Sequence, residues 1–517
     1  MCTLLWMSLV GLVGCKPAAP TDSDTDTHTD TPTPSDFPVS DYSDSVVDAL
    51  RAGIDGFVIE EGNFHVLTPD LCGPVLAVKG TCLGNNPLTP YLSPRFDEPA
   101  GYAEPIGAFQ LEPDEAVVFV GYTPPGRYWS WQAHVHSREY APGDRRDIVS
   151  TITPSLHNRN VKHEGPPGGF GVYTVAIWSP NERLAQAIVR EIDPLLASAG
   201  VQADIVNVLP IPYLTPEDIE LTAADPAYAD ITVTEMRMGY ESDDDIYGIA
   251  VRIAGIADDD PYLDVAHTPL VPFKISLVEE PEYTPFPYPL IPPIRNGEAR
   301  PPNGFAESLR LVRDAVQAEL VPATDEILAL RFDTLDLDGL KCVDRGLACG
   351  NSDDVLYMQS PGARLAETSP GGMYVIGGIH TALPEIAGSA PHLAYSGIAL
   401  RNVDQRMGIV GYYDVDLRGT AEAWFPSGVE GVPADHLARI FVWKLARSCE
   451  GTEPLCTAIG AGPEEVPNTH VFNITSRAYL DLGTNTGPHA AAIDAPWAVW
   501  YGPEVDFRPL QVVVEIP

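Results

Sequence analysis

Lysine is scarce in this chain. It occurs only at Lys16, Lys79, Lys162, Lys274, Lys341 and Lys444. Even with arginine included, basic residues number 31 against 72 acidic ones, a formal charge of -41. So little positive charge leaves no source for phosphate-backbone binding, so no nucleic-acid partner is expected. The acidic surface implies self-repulsion that salt screens, which suits a saline habitat or simply serves solubility. It also implies that small anions are repelled at long range. Specific reaction motifs are missing as well. There is no G-x-S-x-G elbow, HExxH pair, Walker A loop or CxxC pair. No fixed-period repeat is visible, which argues against a solenoid or propeller.

What is present is a chain of 517 residues, 44% hydrophobic and 20% charged, enough for real cores. Its sharpest signal is N-terminal. Leu4 to Gly14 (LLWMSLVGLVG) is apolar and too short to span a bilayer, which needs about 20 residues. It has the length of a signal-peptide h-region and runs into Leu12-Val13-Gly14-Cys15. That tetrapeptide resembles the lipobox of bacterial lipoprotein precursors, although no Lys or Arg precedes the apolar run. The resemblance implies a signal peptide at 1–14, lipidation of Cys15 and a lipid bilayer as partner. With Lys16 rather than aspartate next, it also implies an outer-membrane destination in the cell envelope. Residues 15–43 are rich in Thr, Asp and Pro and have almost nothing to bury, which predicts a disordered tether.

Six further cysteines form three close pairs: Cys72 with Cys82, Cys342 with Cys349, and Cys449 with Cys456. Export predicts local disulfides. Zinc is the rival reading, but no pair has the closer spacing that zinc sites favour.

For the body the sequence predicts an α/β fold with mixed sheets, flanking helices and two lobes. The N-terminal lobe covers 44–285, a proline-rich connection 286–303 and the C-terminal lobe 304–517. A β-α-β crossover is expected at 171–209. In it Ser179 is the expected helix cap, Pro180 the first helical residue and Glu182 the capping-box partner. Pro194 should bend or shorten the last turn, and Gly200 should end the helix. Asp435 to Arg447 reads as a second-lobe helix.

Chemistry has few candidates. His134, His136 and Glu139 lie in a strand-like segment where the two imidazoles share a face, a possible zinc, iron or manganese set. The segment is similar to the first cupin motif, but only Ser137 and Arg138 separate the pair from Glu139. Two polar strand residues hydrogen-bonding near a surface is the plainer account. His380, after Gly377-Gly378-Ile379, is a candidate general base. The acidic turns Asp243-Asp244-Asp245 and Asp258-Asp259-Asp260 suggest structural calcium. Asp333 to Gly339 resembles an EF-hand loop but has Arg345 where the last ligand should be. Tyr122, Tyr128, Trp129 and Trp131 could floor a sugar cleft. Three functions follow: a tethered protein that binds a ligand or partner, an anchored hydrolase or metal-dependent enzyme using His134, His136 or His380, and a structural envelope protein.

Overall fold

The computed structural model describes residues 45–501 apart from several segments, the longest being 97–106, 287–304 and 380–392. Cys15 and His380 lie outside the described residues, as do 287–303 of the proline-rich connection and 335–338 of the EF-hand-like loop.

Among the described residues the first half carries eleven strands: β1 (Phe57–Glu61), β2 (Asn63–Leu67), β3 (Tyr91–Arg95), β4 (Glu115–Tyr122), β5 (Tyr128–Glu139), β6 (Arg145–Thr151), β7 (Leu156–His157), β8 (Tyr173–Ser179), β9 (Val206–Pro210), β10 (Ile246–Ala254) and β11 (Leu270–Leu277). Its named helices are α1 (Ser45–Ala52), α2 (Cys72–Lys79) and α3 (Glu182–Ser198). The second half carries α4 (Ala306–Leu320), β12 (Ile327–Arg331), β13 (Asp333–Thr334), α5 (Gly339–Arg345), β14 (Val355–Gln359), β15 (Ala363–Arg364), β16 (Met373–Ile379), β17 (Leu393–Asn402) and β18 (Met407–Tyr413). After these come α6 (Thr420–Trp424), α7 (Ala434–Leu437), β19 (Ile440–Ala446), β20 (Cys456–Ala458), β21 (Val471–Asp481) and β22 (Trp497–Tyr501).

The fold is α/β with mixed and antiparallel sheets. Among the described residues the halves repeat one topology. The first has a five-stranded sheet in the order β1-β11-β4-β8-β9 and a larger one in the order β2-β3-β10-β5-β6, with β7 beside β5. The second has β12-β22-β16-β19-β20 and β13-β14-β21-β17-β18, the same order strand for strand, with β15 beside β21. No short period betrays this in the sequence, because the repeating unit is half the folded body.

Strand β4 shows why the layers stack. Ala116 to Val120 is apolar on both faces, and a pleated strand sends successive side chains to opposite sides, so both faces must be covered. Val117 and Phe119 pack into the core shared with the larger sheet. Ala116, Val118 and Val120 pack instead against Val46, Val47 and Leu50 of α1 and Leu184, Ile188 and Ile192 of α3. Each half is thus helices, then a five-stranded sheet, then a larger sheet.

The β8-α3-β9 unit is the expected crossover, with β8 and β9 parallel. Its cap is two residues later than the sequence suggests. Asn181 is the N-cap, and its side chain accepts from the Arg183 and Leu184 amides. Ser179 ends the strand and folds back instead, accepting from the Asn181 amide. Helix α3 continues four residues past Pro194 before Gly200, at φ +86, turns the chain. The expected helix at Asp435 to Arg447 is overturned more fully. Only Ala434–Leu437 is helical, and Ile440–Ala446 is a strand buried on both faces. β-Branched and aromatic residues there (IFVWKLA) favour a doubly covered strand. In this half no long helix joins the parallel pair β19 and β20, and the Cys449–Cys456 disulfide closes the short link.

All three cysteine pairs are disulfides, with Cα separations of 5.7, 6.1 and 5.8 Å. Cys72–Cys82 and Cys342–Cys349 occupy the same place in each half, between the second and third strands. Each loop packs on the other half. Cys72 and Cys82 cluster with Met407 of β18, and the Cys82 amide donates to Gln405 O. Reciprocally, Leu340, Cys342 and Val343 complete the first half's core, and the Cys349 amide donates to Ile148 O.

Candidate functional site

Strand β5 alternates as its sequence suggests. Trp129, Trp131, Ala133 and Val135 enter the first core. Ser130, Gln132 and His134 point the other way, yet they too are buried, because the second half covers them. Tyr128, Trp129 and Trp131 are fully buried, so they do not floor a sugar cleft. The Trp129 indole N–H donates to Gly169 O at 2.7 Å.

Between the two larger sheets lies a cavity of about 150 Å³. Strands β2, β3, β5, β6 and β10 of one half and β14, β17 and β21 of the other contribute to its walls. That volume accommodates on the order of ten waters, or a ligand of comparable heavy-atom count. Both disulfide loops reach it, through Cys82 to Asn85 and through Cys349. Two wall residues, Val149 and Arg406, adopt φ 47, and at β-branched Val149 this marks local strain.

The walls are polar and unevenly charged. On the first-half side, His134 and His136 face the cavity with ring centroids 5.8 Å apart. Burial lowers both imidazoles to about 3, so they are neutral at ordinary pH. They can donate and accept hydrogen bonds, but they are too weakly basic to serve as general bases near neutrality. The Gln132 amide donates to Thr153 O and to Asp353 Oδ1. Desolvation, then the neighbouring Asp354 charge, raises Asp353 to about 6.

Arginines from both halves dominate the rest of the wall. Arg252, also in the wall, is held by Asp354 at 3.1 Å and stacks over the Tyr479 ring at 5.3 Å. The Tyr128 hydroxyl donates to the same carboxylate. Arg477, only 4% exposed, lies over the Tyr357 ring at 5.9 Å. Arg401 Nε is buried without a hydrogen-bond partner. Burial lowers the Arg401 guanidinium to about 10, and the like charges of Arg477 and Arg406 add to the effect. The phenols of Tyr357 and Tyr91 act in the opposite direction.

The sequence candidates therefore part company. His134 and His136 share the cavity, but Glu139 turns away to accept from the Gly143 amide at 2.5 Å in the β5–β6 turn. Glu139 is the last residue of β5, three positions beyond His136. Among the described residues no group of three or more His, Cys, Asp or Glu side chains is placed to hold a metal. The acidic turn at 243–245 is partly structural. Asp245 makes a buried bidentate pair with Arg138 at 2.7 and 2.5 Å, and Asp244 accepts from the Glu241 amide. Asp260 caps the short helix at Pro261–Leu263.

Sequence reasoning missed Arg252, Arg401 and Arg477. A signal for two of them exists: Tyr247-Gly248-Ile249-Ala250-Val251-Arg252 matches Phe472-Asn473-Ile474-Thr475-Ser476-Arg477 as aromatic-x-Ile-x-x-Arg. Cys82-Leu83-Gly84-Asn85 likewise resembles Cys349-Gly350-Asn351. No protein-family model matches this chain, and no curated protein shows significant sequence similarity to it.

Proposed function

We propose that this chain is an exported lipoprotein, anchored at the outer membrane through lipidated Cys15, whose body binds a small ligand in the inter-sheet cavity. The supporting observation is the cavity itself: strands from both halves enclose it, and its lining is buried, polar and only partly self-satisfied. Such concave sites with a few convergent polar groups are where proteins take small molecules. The tether at 15–43 would hold the body near the bilayer while leaving it free to sample its surroundings. Neutral His134 and His136 favour binding over proton transfer.

Two experiments test this reading. Cys15→Ala should move the protein from the membrane fraction to the soluble fraction; continued membrane association would refute the anchor. Native mass spectrometry of the full chain, purified without denaturant, should show a small adduct that Ala250→Phe, which fills the cavity, removes. An adduct indifferent to that substitution would place the ligand elsewhere and sink the cavity reading.

A further inference from the structure

The central strands of the two larger sheets match in register, but their charges do not match. In the first half Arg252 of β10 pairs across the ladder with Tyr91 of β3 and Ser130 of β5. In the second, Arg477 of β21 pairs with Tyr357 of β14 and Gly397 of β17. Arg252 and Arg477 are therefore structural counterparts, as are Tyr91 and Tyr357.

Arg252 is neutralised from the other half by Asp354, three residues before Tyr357. The same offset from Tyr91 reaches Leu88. Leu88 does occupy the corresponding place, since a Cβ on Gly397 would meet Leu88 Cδ1 at 3.1 Å. Where one arginine receives a carboxylate, the other receives a leucine. The imbalance is compounded at the next position inward, where Arg401 of β17 is the counterpart of His134. Arg401 pairs with Asn473, as His134 pairs with Gly248. Arg401, Arg477 and the exposed Arg406 thus form a cationic cluster, and no ion pair to any of the three is found among the described residues.

Arg477 is buried and Arg401 half-buried, and taking guanidinium charge out of water without a counter-charge is unfavourable, so the cluster is poorly accounted for by folding alone. Arginine's planar fork suits the oxygens of carboxylate and phosphate groups. We propose that the cavity binds a small oxyanion, a carboxylate or phosphate whose charged group meets Arg401 and Arg477 at the cavity wall and supplies the counter-charge that Leu88 cannot, with its neutral polar part against His134, His136 and Gln132. This rests on the cavity-binding reading above and names its ligand class. The surrounding surface, strongly acidic overall, would slow anion approach but not cancel a desolvated contact.

The test is calorimetric titration of the full chain at low ionic strength with inorganic phosphate, citrate and acetate, and with glucose as a neutral control. We expect one saturable site for phosphate or citrate. Arg401→Gln and Arg477→Gln should each weaken it tenfold or more. Leu88→Asp supplies the absent carboxylate internally. It should abolish anion binding while its melting temperature stays at or above that of the parent, so lost binding cannot be assigned to misfolding. Absence of saturable heat for every anion up to about 10 mM, or anion binding unchanged in Leu88→Asp and both Gln variants, overturns the proposal. Saturable glucose binding that Ala250→Phe removes, without anion binding, overturns the oxyanion class and leaves the cavity reading standing.

Discussion

Asp354 joins the two halves through a buried ion pair, and its loss should be felt throughout the body. It sits in the second half, yet it accepts from Arg252 and Tyr128 of the first. Both ends of the Arg252 pair are nearly sealed, at 8% and 1% side-chain exposure. Asp354→Asn keeps the shape but leaves the guanidinium charge uncompensated, which typically costs about 3–5 kcal/mol. Tyr128→Phe removes one buried hydrogen bond at about 1 kcal/mol. With an unfolding entropy of about 2.1 cal/mol/K per residue over roughly 470 residues, 4 kcal/mol corresponds to a fall in Tm of only about 4 °C. Urea denaturation followed by tryptophan fluorescence is therefore the better assay. Trp129, Trp131 and Trp178 report the first core and Trp443 the second. Asp354→Asn should shift the midpoint at every probe together, and Arg252→Met added to it should recover part of the loss. A loss under about 1 kcal/mol, or a shift confined to one half, would refute the reasoning that this pair couples them.

Other outcomes follow from the same geometry. His134 and His136 are lowered to about 3 in the folded state against about 6.5 unfolded, so the unfolded chain binds more protons and stability falls as pH drops below 6.5. Asp353, raised to about 6 from about 3.8, acts oppositely, its ionisation costing stability as pH rises from about 4 to 6. These three groups alone, two protons against one, contribute a net loss of about 1.4 kcal/mol per pH unit between pH 6 and 4. Asp353→Asn should steepen that slope in a pH series of urea titrations, and a flat profile in the parent would contradict it. Opening the Cys72–Cys82 loop with paired alanines should cost about 2–3 kcal/mol. It should also raise proteolysis at the β17–β18 hairpin on which the loop rests, and cleavage confined to the α2 segment would count against that docking. Trp131→Ala should cost about 3–5 kcal/mol by leaving a cavity between the sheets of the first half, read as a lower denaturation midpoint.

Much of the local structure was legible in the residues. Alternation in β5 sorted Trp129 and Trp131 from Ser130 and Gln132 correctly, and proximity paired the cysteines. Strand and helix were confused at Ile440 to Ala446, since a doubly buried strand shows no period-two pattern to set against a short helix. The caps at Ser179 and Asn181 compete with equal chemistry, and only the length of β8 decides between them. The site was hardest to see. Its histidines are adjacent in sequence, but Arg401 and Arg477 meet them only through the pairing of two sheets. Net charge averages over a surface, whereas a cavity is governed by its own lining.

The exchanged disulfide loops also bear on how such a chain could arise. Each half borrows a segment from the other to finish its packing, which is what remains when the two subunits of a segment-swapping symmetric dimer become one polypeptide. Two separate but identical copies must carry the same residue at both sites, so a carboxylate at one would neutralise both arginines. Joined in a single gene, the copies are released from that constraint. Positions 88 and 354 are then free to hold leucine and aspartate, and the joint is neutralised on one side alone.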